Sequence, residues 1–171
     1  MTGYPLPDEY APYYFSYIRL IPKEAEIKSY LNQQQAAIES FFRQIPSEKH
    51  DYRYDEGKWS LKEVLGHIID CERIMAYRAL RIGRGDETPI EGFEQDDYIP
   101  SGKFAFRNWD DLIQEFSTVR TATLSLINGM PEESFEQIGL ANGKPVSCRA
   151  VFYIIGGHVQ YHRQIIEEKY L

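Results

Sequence analysis

Four stretches of the chain repeat apolar residues at three- and four-residue intervals, the pattern of an amphipathic helix. The first follows Pro22, which suits a first helical turn, with Glu24 and Glu26 near the positive end. Its stripe runs through Ile27, Leu31, Ala37, Ile38, Phe41, Phe42 and Ile45, to about Gln44, where Pro46 ends it. The second has the sharpest start: Ser60 and Glu63 form a capping box, and Trp59 and Val64 are spaced as a hydrophobic staple. Leu61, Val64, Ile68, Cys71, Met75 and Ile82 line it up to the Gly83-Arg84-Gly85 stop. Asn108 caps the third, with Asp110 and Asp111 in its first turn and Leu112, Ile113, Phe116, Val119, Leu124 and Ile127 as its stripe. Ser147 caps the fourth, whose inward face reads Val151, Ile154, Ile155, His158, His162, Ile165 and Ile166.

Between these helices the pattern lapses. Residues 1–22 carry Pro5, Pro7, Pro12 and a tyrosine-rich cluster, and are expected to form an arm docked on the body with at most a short helix from Pro12 to Arg19. His50 lies in a polar linker, Ser47 to Lys58, and reads as a solvated loop residue. Gly85 to Asn108 is a long, acidic connection without a helical stripe. Pro131 to Ile138 suggests a short extra helix, and Gly139 to Pro145 is rich in turn formers. The expectation is an all-α four-helix bundle in one domain, residues 1–171, with residues 1–21 as the arm.

His158 and His162, at i and i+4, are neighbours on one helical face, so both imidazoles reach a common point. That pair alone fits half a metal site and fits equally two core histidines with separate partners. His67, at the edge of the second stripe, changes the balance. It lies about seven residues, roughly 10 Å, from the start of its helix. His162 lies a similar distance from the end of the fourth, so the depths match if those helices run antiparallel. Short connections make the first and second helices antiparallel, and likewise the third and fourth. The third must then run parallel to the second, and Gly85–Asn108 is long enough for that crossover. The resulting order is up-down-down-up. Three converging neutral imidazoles suit zinc, nickel, copper or iron, and three protein ligands leave a position for substrate.

Composition narrows the function classes. The chain has 171 residues, 43% hydrophobic and 26% charged, as in ordinary soluble domains. A net charge of −7 opposes nucleic-acid binding. No apolar run is long enough to span a bilayer, and no signal-peptide pattern opens the chain. Two cysteines, Cys71 and Cys148, make no disulfide framework, which fits a reducing cytoplasm.

Four segments carry a family resemblance: KWSLKEVLGHIIDCERIMAYRALRIGRGD, the crossover FEQDDY, EFSTVRTATL and GGHVQYHRQIIEEKYL. Together they resemble the DinB-like superfamily of damage-inducible four-helix bundles, in the branch of bacillithiol S-transferases and metal-dependent hydrolases. The resemblance implies an up-down-down-up bundle. It also implies a divalent metal on His67, His158 and His162, commonly nickel or zinc, with iron, manganese or copper as alternatives. Its activities join thiol cofactors to electrophiles or use them in isomerisation, and homodimers are frequent. The leading expectation is therefore a metal-dependent enzyme that adds a bacillithiol-like thiol to an electrophilic small molecule. A hydrolase that activates water is the second, and a non-catalytic metal-binding or stress-response module the third.

Further residues carry weaker expectations. Asp70, at i+3 from His67, is the candidate general base, or else an ordinary salt-bridged carboxylate. Cys71 is a fourth ligand or an inert buried thiol. Cys148, near a helix start, is a candidate for a lowered pKa. Asp96, Asp97 and Tyr98 are placed to rim a pocket, and Gln160 and Tyr161 flank the histidine pair. Arg73, Arg78 and Arg81 either hold carboxylates of a thiol cofactor or pair with nearby acids. Gly156 and Gly157 provide room for a neighbouring segment or a ligand.

Overall fold

The computed structural model describes residues 3–171, so Met1 and Thr2 of the expected arm lie outside the described residues. Its helices are α1 (Phe15–Ile18), α2 (Ile27–Arg43), α3 (Leu61–Gly83), α4 (Gln95–Gly102), α5 (Trp109–Asn128) and α6 (Cys148–Lys169). A hairpin of β1 (Ile138–Ala141) and β2 (Lys144–Ser147) precedes α6.

Helices α2, α3, α5 and α6 form the bundle, and contacts along their lengths fix its directions. Cys148 at the start of α6 meets the Ala79 carbonyl near the end of α3, while His158 and His67 meet at the other end, so α3 and α6 are antiparallel. Arg73 of α3 pairs with Glu115 of α5 at 2.7 Å, and Met130 just beyond α5 lies against Gly83 at the end of α3, so these two run parallel. Trp109 bonds the Phe42 carbonyl and Gln35 reaches Ser117, which makes α2 and α5 antiparallel. The order is up-down-down-up, as the histidine depths required.

Several local expectations are corrected. Helix α2 begins at Ile27, later than Pro22, because the Glu26 side chain accepts from the backbone N–H groups of Lys28 and Ser29 and serves as the N-cap. The crossover contains α4, which lacks a long stripe and is anchored by buried Ile99. The turn-rich segment is a hairpin. Asn142 and Gly143 both take positive φ, 52° and 68°, as a two-residue type I′ connection demands. Ile90 of the crossover pairs with Ala141 and pins the loop to the hairpin. His50 is half-buried, stacked on Trp109 at 4.2 Å with its Nε2 3.1 Å from the Ile45 carbonyl oxygen. The Ser60–Glu63 capping box forms as read.

The arm docks through Tyr10, Tyr14, Ile18 and Ile21, all buried. Gly157 permits that docking. A Cβ there would lie 2.2 Å from the Tyr17 carbonyl oxygen. Gly157 therefore makes room for the arm, while Gly156 makes room for Leu31 and Tyr30 of α2 and for Ile21. Gly66 plays the same part on α3, where a Cβ would strike the Phe104 ring at 2.3 Å.

The apolar core falls into two clusters, one around α1, the hairpin and the start of α6, the other around Phe42, Leu61, Trp109 and Phe116. Buried polar groups lie where they meet. Arg120, fully buried, donates to both Glu72 carboxylate oxygens (2.7 and 2.8 Å) and to Gln34 Oε1 (2.9 Å). Gln34 in turn donates to the Gly156 carbonyl at 2.9 Å.

Candidate metal centre

Helices α3 and α6 bring His67, His158 and His162 together. The His158 Nε2 lies 3.0 Å from that of His67 and 3.1 Å from that of His162. His67 and His158 are buried, and His162 is partly accessible. Burial pushes the His67 imidazole down to about 4 and that of His162 to about 3, and it lowers His158 well below the ordinary value. The three rings are therefore neutral at pH 7. Each neutral ring carries one lone pair and one N–H, so such a cluster is short of partners unless something is shared among the nitrogens. A tetrahedral ion at Zn–N distances of about 2.05 Å would space its nitrogens about 3.3 Å apart, close to what is seen. The arrangement can hold a divalent cation.

Cys71 stands one turn below His67, with its Sγ 3.6 Å from Nδ1 and 3.7 Å from Nε2 of that ring. His67, Cys71 and His158 place donor atoms within 4.8 Å of one another, a spacing that also admits a metal ion. Burial pushes the Cys71 thiol up to about 12, so the sulfur is protonated. The Trp59 ring packs on His67 at 4.8 Å and that of Tyr17, from the arm, on His158 at 5.3 Å. The cluster is thus walled by aromatics on two sides.

Two cavities approach it. One of about 350 Å³ reaches His158 and Cys71 and is bounded by arm tyrosines, Arg78 and Phe93. Another of about 310 Å³ reaches His162, beside Trp59 and Tyr170. Asp96, in the first turn of α4, lines both and so stands over the histidines from the crossover side. A volume near 350 Å³ falls in the range of small-molecule sites.

The sequence profile of the DinB superfamily matches residues 30–166, most of the chain and all three histidines. The chain belongs to the DinB superfamily. No curated protein sequence matches it significantly. Among solved structures it is similar to YfiT from Bacillus subtilis, described as a probable metal-dependent hydrolase with an unusual four-helix bundle topology. That likeness has 13% identity and a TM-score of 0.74, over 86% of this chain and 90% of YfiT. It is also similar to a mycothiol-dependent maleylpyruvate isomerase at 14% identity and a TM-score of 0.68. There the match spans 85% of this chain but only 60% of the isomerase. At these identities the likeness establishes the fold.

Other residues singled out from the sequence fall elsewhere on the DinB frame. Asp70 is half-buried and ion-paired with Arg73 at 3.6 Å, and belongs to neither cavity wall. Cys148 is buried under the Ala79 carbonyl, and burial raises its thiol to about 12, the reverse of helix-start activation. Tyr98 packs on Phe93 at 5.4 Å, beside the larger cavity. Tyr161 packs edge-to-face against Tyr17 at the edge of the cluster, 5.2 Å between centroids. Arg73 and Arg81 pair with Glu115 and Asp86. Arg78 does not pair with a carboxylate among the described residues, and its position in the cavity wall is something spacing along α3 alone did not distinguish. Among the described residues no helix is long and apolar enough to cross a membrane.

Proposed function

We propose that His67, His158 and His162 bind one divalent ion, and that the protein is an enzyme joining a low-molecular-weight thiol of the bacillithiol type to an electrophilic small molecule. The observation that carries this reading is the convergence of three neutral imidazoles, one of which, His158, lines a substrate-sized cavity. Such a donor set suits nickel or zinc, with iron, manganese or copper within range of the same ligands. The ion, when bound, acidifies a thiol or a water and so supplies a nucleophile at neutral pH. The chain's own residues do the rest. Tyr17 and Trp59 hold the imidazoles in place and exclude water. Cys71, a protonated thiol beside Nδ1 of His67, is not a ligand in this reading. Asp70 is not used in this reading, because its carboxylate is turned to Arg73.

The test is metal content by mass spectrometry on protein purified without a metal-affinity tag. Wild type should carry about one first-row ion per chain, and His67→Ala, His158→Ala and His162→Ala should each lose it. Metal that survives all three substitutions would return the histidines to the core. Turnover of thiol with an electrophile such as a chloro-nitroarene should then follow metal content.

The likeness to YfiT favours a second reading, hydrolysis, in which turnover needs the ion but no thiol. A non-catalytic module would need a fourth protein ligand to close the site, and the sulfur of Cys71 is the nearest one. Cys71→Ala that keeps its metal supports the enzyme readings; loss of the metal supports the module.

A further inference from the structure

Arg78 is buried, at 3% exposure, yet no carboxylate pairs with it among the described residues. Its Nη2 donates to the Glu91 carbonyl at 3.2 Å. Its Nη1 has only long contacts, 3.4 Å to the Tyr14 hydroxyl and 3.8 Å to the Met75 sulfur. Its Nε is the one buried side-chain nitrogen or oxygen among the described residues that has no hydrogen-bond partner. The guanidinium also lies against the Phe93 ring, 5.8 Å from its centroid. A buried guanidinium retains its charge, since arginine does not deprotonate in proteins. Desolvation of such a cation calls for an anion, and a buried donor calls for an acceptor. Arg78 is part of the wall of the larger cavity, which His158 and Cys71 also line.

We propose that Arg78 is the anchor for a carboxylate on the small molecule this cavity takes. The Nε–Nη2 edge of a guanidinium is a planar fork that matches the two oxygens of a carboxylate. Nε is free, and Nη2 carries a second hydrogen beyond the one given to Glu91. The choice of a carboxylate over a phosphate follows from charge. Among the described residues Arg78 is the only cationic side chain in the wall, whereas the exposed Glu94 and Asp96 stand at its mouth. Glu72, also in the wall, is already neutralised by Arg120. A monoanion is matched by one cation; a dianion would meet uncompensated repulsion.

Placement along α3 sets the ligand's length. His67, Cys71, Met75 and Arg78 fall on one face at intervals of four, four and three residues. Arg78 and His67 are about 16 Å apart along the axis at 1.5 Å per residue, and the long arginine side chain leans back toward the helix start. The span from guanidinium to imidazoles is therefore on the order of 10 Å. The ligand class is an acyclic or small cyclic carboxylate whose reacting group sits at the far end from the acid. This assignment rests on the cavity being the substrate site of the reaction proposed above, but not on the metal.

The test uses hexanoate, its neutral isostere hexanamide and monohexyl phosphate, titrated into full-length 15N-labelled protein and followed by NMR, once after chelation and once with metal restored. Hexanoate should bind at least tenfold tighter than hexanamide in both states and shift the Arg78 Nε–Hε resonance. Arg78→Gln should abolish the preference, and Arg78→Lys should restore part of it. Equal binding of acid and amide, or an unmoved Hε resonance, would overturn the assignment in the wild-type protein, whatever the variants do. Tighter binding of hexyl phosphate would overturn the carboxylate choice. A preference seen only with metal and unchanged in Arg78→Gln would place the acid on the ion and overturn the role of Arg78. A preference in chelated protein that takes up no metal would leave Arg78 standing while removing the proposed chemistry.

Discussion

Two buried polar regions lie within the bundle, and they are finished to different degrees. Around Arg120, the guanidinium meets both Glu72 oxygens, Gln34 and the Leu31 carbonyl, and Gln34 passes a hydrogen bond to Gly156. Charge is balanced and the polar atoms are satisfied within the chain. On the cavity side, three imidazoles meet behind the wall that His158 lines, and a second buried guanidinium has a free Nε. A satisfied network ties α2, α3, α5 and α6 together. An unsatisfied one has a cost in stability that is met only when something from outside the chain enters.

The contrast is broken most directly at Arg120. Arg120→Ala leaves the Glu72 carboxylate buried and alone, and breaking a buried pair from one side costs about 3–5 kcal/mol. Urea denaturation should show that loss with or without metal. His158→Ala should lose far less in chelated protein, since the cluster it leaves is short of partners already. If His158→Ala proved the more damaging in chelated protein, the histidines would be structural and the contrast would fail.

Acid should act on the cavity side. Free histidine titrates near 6.5, whereas burial holds His67 at about 4. Between these values the unfolded chain takes up a proton that the folded chain refuses, so unfolding is favoured as pH falls. The stability is fully present above about 6.5, declines toward pH 4, and does not decline further from this group below that. Its size is on the order of 3 kcal/mol for His67. His162 and His158 shift in the same direction and add to it. Denaturation midpoints of chelated wild type and His67→Ala at pH 7.5 and 4.5 measure it; the variant should lose less.

A third disturbance leaves both polar regions intact and moves the wall between the arm and α6. Gly157→Ala drives a methyl into the Tyr17 carbonyl, and overpacking of this kind costs about 1–3 kcal/mol. Because Tyr17 also packs on His158, metal affinity should fall along with the thermal midpoint. A drop in stability with unchanged affinity would separate the arm from the site.

These regions differ also in how far the sequence discloses them. The bundle, its crossover and the meeting of three histidines follow from apolar spacing and helix depth, because periodic burial is written along the chain. The hairpin was signalled only by Asn142-Gly143, since its strands are four residues each and carry no long alternation. Helix α4 has eight residues with Pro100 inside, and depends on docking rather than on its own pattern. Arg73, Arg78 and Arg81 look alike on one helix. Their separation into two paired cations and one unpaired depends on Glu115, Asp86 and the crossover loop, which no spacing on α3 encodes.

The smallest expected effect tests the boundary of the site. Asp70 sits one turn from His67, the position from which a carboxylate is usually invoked to steer a ligand imidazole. Here its carboxylate faces Arg73, whose other partner is Glu115 at 2.7 Å. Burial, the largest influence on it, raises the Asp70 carboxyl, and Arg73 works in the opposite direction. Arg73 is exposed and Asp70 only half-buried, so water screens the pair, and a pair of this kind contributes about 0–1 kcal/mol. Asp70→Asn should therefore change stability by less than about 1 kcal/mol and leave metal content and the pH dependence of turnover as in wild type. Loss of metal, or a displaced acidic limb in the pH profile, would move Asp70 into the centre and extend the unfinished region to the face of α3 that meets α5.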